Sequence, residues 1–375
     1  MSDGAANSIG VAAEPGDARA AAKELRWMFA AAIALRVAVF LTMTLVFGFS
    51  LKRYSEWADG KSYLWMAQAY AGSPPSYLRE YDHRVFPGFP AILAIVFMLK
   101  LPLAWTALGI SWICSGLSAV FTARLFNDRR MGWAMVTLTP QYVLNGSMVM
   151  TESIMMALML GGLLLAQRKQ NWLGGIVAGI SGLVRPMACF AVLGQCVHEI
   201  RARRWRPALT YGGVAALTVA LAMVVLQWKT GDALQGPRVY ASHDWAYGGH
   251  MFDWPFHSLV ATIFGEKMRL WKLTYILLHV PLVLYACVVL WKRYRREHDV
   301  PDALVNLMGP WLWGNTLFVV CVGSHWALLQ FARFILVALP PLLWVYLPYL
   351  PRRPRGWILW AGFSYFGAVG TFAFI

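Results

Sequence analysis

The sequence predicts an all-α, polytopic membrane protein, and three observations carry that prediction. Of its 375 residues, 59% are hydrophobic and only 14% are charged, whereas a soluble chain has roughly a quarter of its residues charged. The mean hydropathy of +0.52 comes from long apolar runs separated by short polar ones, as expected when about 20 apolar residues span the hydrocarbon. The 19 Trp and 15 Tyr suit membrane interfaces, where amphipathic rings sit at headgroup level. Soluble classes are excluded.

The elements follow in chain order. Residues 1–24 are Ala, Gly and polar residues without periodicity, so they read as a disordered cytoplasmic tail ahead of a transmembrane domain at 25–375. The apolar run 27–49 is too long for a signal-peptide core and lacks a small-residue cleavage site, so it reads as a first span. Further spans are expected near 87–105, 106–126, 131–148, 150–167, 172–198, 208–228, 273–291, 303–322, 327–348 and 357–375, giving about eleven crossings.

Lys and Arg number 33 against 18 acids, a formal charge of +15. Much of this excess lies between spans, at Arg129-Arg130, Arg168-Lys169, 201–206, 292–296 and 352–355. Short basic loops of this kind are cytoplasmic, and groups scattered in this way do not form a nucleic-acid footprint. The two long segments without strong basic bias, 50–86 and 229–272, are then outer loops. With Arg129-Arg130 and Arg168-Lys169 both inside, the path becomes consistent if 87–126 is one span plus a re-entrant piece and 172–198 is two half-spans broken at Arg185-Pro186.

Ionisable residues inside such a chain are functional candidates, since each costs about 2.5–3.5 kcal/mol to insert. They are Arg36, Glu152, Arg185 and Arg333, with His279 and His325 near span ends. Arg36, near the inner end of the first span, reads as snorkelling or structural. Arg185 and Arg333 fall on the outer side, out of reach of cytoplasmic headgroups, where a guanidinium suits a phosphate.

In the first outer loop, Tyr63, Met66, Ala67 and Tyr70 recur at helical spacing after Gly60, predicting a short amphipathic helix in the interface plane. Asp59 precedes it. As a helix cap it needs no other role; as a partly desolvated carboxylate at the membrane surface it can accept a proton from a hydroxyl held beside a lipid-borne substrate. Asp82, His83 and Arg84 bring an acid, a possible acid/base and a cation next to the following span, or form a solvated loop with an internal ion pair.

The second outer loop holds His243-Asp244, His250, Asp253 and His257, but without a fixed ligand spacing and with Pro255 inside the stretch. It is a weak metal signal, so contacts to an acceptor are the preferred reading and a divalent ion the lesser one. The cysteines at 114, 189, 196, 287 and 321 lie unpaired in apolar runs and read as small buried hydrophobes.

Together these residues resemble a family. Trp57-Ala-Asp59-Gly-Lys-Ser-Tyr63-Leu-Trp-Met-Ala67-Gln-Ala-Tyr70 is similar to the first-loop signature of GPI mannosyltransferase 2 (the PIG-V family) and its bacterial relatives, with Ala58 set between a Trp and an Asp that are usually adjacent. Phe86-Pro-Gly-Phe-Pro90, Thr151-Glu152-Ser153, Arg185-Pro186 and Arg333 before Pro340-Pro341 follow in the family's order. The resemblance implies a GT-C-like, polytopic glycosyltransferase that uses a polyprenyl-phosphate sugar, of mannosyl type, on the outer face of a bacterial inner membrane. It would transfer the sugar with inversion to a lipid or glycan acceptor. It also implies Asp59 as the catalytic acid/base, with Glu56 and Asp82 as reserves. Arg185 and Arg333 would be phosphate ligands, with His83 and Arg84 behind them, and Glu152 would orient acceptor or sugar. No organic cofactor is implied.

Rival classes remain at this stage. A transporter or flippase predicts internal symmetry and broken mid-membrane helices, of which only the break at Arg185 is present. A membrane acyltransferase needs an intramembrane His, and His279 stands alone.

Overall fold

The computed structural model describes residues 15–236, 238–239, 254–257, 260, 270–296, 303–321 and 331–373, and everything said of the structure concerns these. His243, Asp244, His250, Asp253 and His325 lie outside them. Among the described residues all regular structure is helical and there is no strand. The first helix, α1 (Pro15–Leu45), begins within the stretch expected to be a disordered tail. The first outer loop contains α2 (Leu51–Ser55) and α3 (Gly60–Tyr70), then a 3-10 turn at Glu80–Arg84. After these come α4 (Gly88–Met98), α5 (Leu103–Leu125), α6 (Arg129–Thr137), α7 (Pro140–Ser147), α8 (Glu152–Gln167), α9 (Asn171–Val184), α10 (Cys189–Arg201) and α11 (Trp205–Thr230). The C-terminal third holds α12 (Leu270–Arg296), α13 (Ala303–Cys321), α14 (Phe331–Ile335), α15 (Leu339–Val345) and α16 (Pro354–Ala373).

Four helices are long and apolar enough to cross a membrane: Arg19–Leu45, Leu103–Leu125, Trp205–Thr230 and Leu304–Cys321. A fifth is added if α7 and α8, bent by 103° at their junction, are one span. Among the described residues this is fewer than the eleven apolar runs, and breaks account for part of the difference. Lys100, in the left-handed region at φ +57°, ends α4 early. Pro140 divides the run 131–148, because proline has no N–H to continue the ladder. The half-spans expected on either side of Arg185-Pro186 are present as α9 and α10, and 87–126 is a short helix followed by a long one. The chain is a multi-pass membrane protein.

The break at Pro140 also accounts for Arg36. The carbonyl of Val136 would ordinarily accept from residue 140, and a proline cannot supply that proton. Arg36 Nη1 donates to it instead at 2.9 Å, with its guanidinium 5.3 Å from the centre of the Tyr142 ring. The side chain is fully buried, so it does not snorkel; it braces a broken helix from within.

Helix α9 lies between α8 and α11, presenting the small residues Gly174, Gly175, Ala178 and Gly179 to both. This close packing of small residues is the means by which helices associate in lipid. Its last turn meets the start of α4: a Cβ on Gly88 would stand 2.6 Å from the amide N of Val184 and 2.7 Å from the carbonyl carbon of Leu183. Backbone atoms cannot swing aside, so Gly88→Ala is expected to destabilise by about 1–3 kcal/mol. The effect is measured as a lower Tm of the detergent-purified protein. An unchanged Tm would mean that α4 and α9 are not locked at this point.

Helix α3 is buried more broadly than its amphipathic pattern predicts, with Ser62, Leu64 and Trp65 covered as well as Tyr63, Met66 and Ala67. The cause is the following segment, which folds back: Tyr77 packs on Trp65 at 4.5 Å between ring centres, and Asp82 bonds Ser62.

Candidate active site

The backbone sets Asp59 before any side chain does. α2 and α3 are joined by Glu56–Asp59, and the turn closes with the Gly60 N–H donating to the Trp57 carbonyl at 2.9 Å. Ala58 takes φ +50°, a conformation that disfavours residues with a Cβ, and non-glycine residues held there cluster at functional sites. Gly60 sits directly against the carbonyl of Ser55, where any side chain would collide with backbone. Asp59 therefore occupies the N-cap position of α3, but its carboxylate does not cap the helix.

The carboxylate faces two arginines instead. Arg84 Nη2 donates to Oδ1 at 2.8 Å, and Arg333 Nη2 donates to Oδ2 at 2.7 Å. Arg333 also donates through Nε to Oε1 of Glu152, the first residue of α8. The same Oε1 receives Arg185 Nη2 at 3.1 Å. Arg84, Asp59, Arg333, Glu152 and Arg185 thus form one chain of alternating charge. Three guanidiniums and two carboxylates are in direct contact, with Asp82 a third carboxylate one hydroxyl away through Ser62, in a place where Glu152 is fully buried and Arg185 and Arg333 nearly so.

Local breaks in the helices deliver these side chains. Glu152 emerges at the sharp turn between α7 and α8. Arg185 is extended (φ −151°, ψ 121°) at the end of α9, as a residue before proline prefers. Burial pushes the Asp59 carboxyl up, but the Arg333 and Arg84 guanidiniums outweigh it and hold the group well below the usual carboxylate range. Asp59 is therefore ionised at any ordinary pH.

Three further side chains join the cluster without having been singled out as candidates in the sequence. Thr151 Oγ1 accepts from Arg185 Nε at 2.9 Å and lies 3.3 Å from the Tyr63 hydroxyl. Tyr63 has the spacing of a packing residue, and only its polar tip hinted at more. Ser62 accepts from Arg84 Nη1 at 3.1 Å and donates to Asp82 Oδ1 at 2.7 Å.

Asp82 was expected to face substrate. Both its oxygens are instead engaged inside the loop, the second by the Arg79 N–H at 3.1 Å, so it steadies Arg84 through Ser62. Glu56 makes no side-chain bond or ion pair among the described residues and stands apart from the cluster. His83 follows Asp82 in the 3-10 turn, its Nδ1 buried and unpartnered among the described residues. Five of the eight candidates, Asp59, Arg84, Glu152, Arg185 and Arg333, are thus in direct contact. No group of three potential metal ligands occurs among the described residues, and most of the second-loop His/Asp cluster lies outside them.

Residues 87–309, more than half of the chain, match the family described as Glycosyltransferase family 87. The matched stretch includes Glu152 and Arg185, while Asp59, Arg84 and Arg333 lie outside it. No curated protein matches the chain.

Proposed function

Since the chain belongs to glycosyltransferase family 87, a GT-C-type family of glycosyltransferases, we propose that it transfers a hexose, of mannosyl type, from a polyprenyl-phosphate donor to an acceptor hydroxyl with inversion. The observation that carries this reading is the convergence of three largely buried guanidiniums in the alternating chain from Arg84 to Arg185. A sugar phosphodiester bears one negative charge, which suits a site where guanidiniums converge. Arg185 Nη1 is buried with no partner among the described residues, so it can donate to a phosphate oxygen without giving up its bonds to Thr151 and Glu152.

The chemistry follows from these positions. The acceptor oxygen attacks the anomeric carbon from one face as the bond to the phosphate oxygen breaks on the other, which inverts the centre. The phosphate leaves with a second negative charge, and the guanidiniums stabilise it. Asp59, the most accessible group of the cluster with 23% of its side chain exposed, orients the incoming hydroxyl and takes its proton. A carboxylate between two guanidiniums is a weak base, so the proton moves late, once bonding to carbon has acidified the hydroxyl. A phosphate that draws Arg84 or Arg333 toward itself makes Asp59 more basic at the moment it is needed.

An outward-facing site is supported by α1. Near its N-terminal end Glu24 pairs with Arg129 of a basic cluster at 2.5 Å. Asp59 follows the opposite end, about 30 Å away by helix rise. With the basic cluster in the cytoplasm, the carboxylate lies toward the other face.

The test is transfer of labelled sugar to crude lipid acceptors from polyprenyl-phosphate mannose or glucose, with a nucleotide sugar as the comparison donor. Product is expected from a polyprenyl donor only. Transfer from the nucleotide sugar alone, or from neither donor, overturns the donor assignment.

A further inference from the structure

Glu152 uses only half of its carboxylate. Oε1 receives both Arg333 Nε and Arg185 Nη2, whereas Oε2 is buried and meets no donor among the described residues. A buried carboxylate oxygen left without a hydrogen-bond donor costs free energy, and a bound group that supplies one relieves that cost. Arg185 Nη1 is in the matching position as an unsatisfied donor, on the guanidinium that already holds the same carboxylate. Each free atom is bonded to the same carbon as an atom of the Arg185–Glu152 contact. The pair therefore carries, each one atom removed from its own contact, one donor suited to an anion and one charged acceptor suited to a hydroxyl.

A glycosyl phosphate offers that combination. Its phosphate oxygen is attached at the anomeric carbon, and the hydroxyl nearest to it along the ring is on C2. We propose that Glu152 is a specificity-determining residue of the donor subsite. Its Oε2 accepts a hydrogen bond from the C2 hydroxyl of the transferred sugar while Arg185 Nη1 binds the phosphate. The donor is assigned in preference to the acceptor because the free Glu152 oxygen belongs to the carboxylate held by Arg185, whose own free donor suits a phosphate, and Asp59 is the carboxylate open to an incoming hydroxyl. A charged acceptor at this hydroxyl also acts on rate, since hydrogen bonds to a sugar 2-OH strengthen as the anomeric carbon becomes electron-deficient. The proposal rests on the polyprenyl-phosphate donor reading.

The test uses the unmodified full-length protein with four synthetic polyprenyl-phosphate sugars lacking the hydroxyl at C2, C3, C4 or C6, each compared with the parent donor by kcat/KM. The 2-deoxy donor is expected to suffer the largest penalty, about 10²-fold, because it leaves Oε2 unsatisfied. An equal or larger penalty at another carbon overturns the C2 assignment, and equal use of all four overturns a hydroxyl-reading role for Glu152. No transfer even from the parent donor removes the donor reading instead, so the two failures are distinguishable. In Glu152→Gln the preference for the parent over the 2-deoxy donor is expected to shrink by about tenfold, whatever the absolute rate. Retention of the full preference in a folded variant also overturns the proposal.

Discussion

Asp59→Asn is expected to lower sugar transfer by about 10²–10⁴-fold, the range that a positioned acid or base supplies, while the protein stays folded. The substitution is nearly isosteric and keeps one oxygen to accept from a guanidinium, but it removes the proton acceptor and one negative charge. Because Arg84 and Arg333 also touch the carboxylate, donor affinity is expected to change less than kcat. The measurement is a kcat and KM comparison on protein whose Tm has been checked. A variant that transfers as fast as wild type would show that the acid in this loop is structural. The pH profile adds a second check. Asp59 lies well below the usual carboxylate range in the unliganded protein, so kcat/KM is not expected to fall on its account through mildly acidic pH.

Loss of Arg333 is expected to have the larger effect on stability. Its guanidinium stands between Asp59 and Glu152 and bonds both. Arg333→Met leaves two carboxylates near one another with the central cation gone, a situation that costs about 3–5 kcal/mol when one partner of a buried pair is removed. The expected result is a large fall in Tm and in yield of folded protein. Two further variants separate charge from packing. Asp59→Asn combined with Arg333→Met is expected to recover part of the loss, because one of the stranded charges is then absent. Arg333→Lys keeps the charge but not the planar fork, so it serves one carboxylate well and the other poorly. With weaker support the Asp59 carboxyl rises, so the acid limb of kcat/KM moves to higher pH in Arg333→Lys. If the double variant is no more stable than Arg333→Met alone, the charges are not coupled as the geometry implies.

Much of this site was legible in the sequence, and for one reason: membranes make charge expensive. Glu152, Arg185 and Arg333 stand out in apolar runs because inserting them is costly, and all three are in the chain of contacts. Asp59 carried the resemblance to a known loop, and the structure removes the competing view of it as a helix cap. What could not be read was pairing. Spacing along the chain does not say that Asp82 bonds Ser62 and Arg79 rather than facing outward. Nor does it say that Glu56, three residues from Asp59, stays apart. Tyr63 and Thr151 were hidden because one looks like packing and the other like part of a turn. For the fold, helical class and the break at Arg185-Pro186 were readable from apolar length and proline. The number of full-length crossings was not, since runs such as 131–148 are interrupted by breaks that hydropathy alone overlooks.

The central contact joins residues made far apart in time. Arg333 follows Asp59 by 274 positions and Glu152 by 181. At about 5–20 residues per second, the first acid waits on the order of tens of seconds for its inner cation while the intervening helices enter the bilayer. A partly synthesised chain thus carries its acid groups without the arginine that aligns them, and the buried cluster is incomplete until the segment that holds Arg333 is seated. Order of synthesis leaves the pairing of both acids to a late segment of the chain.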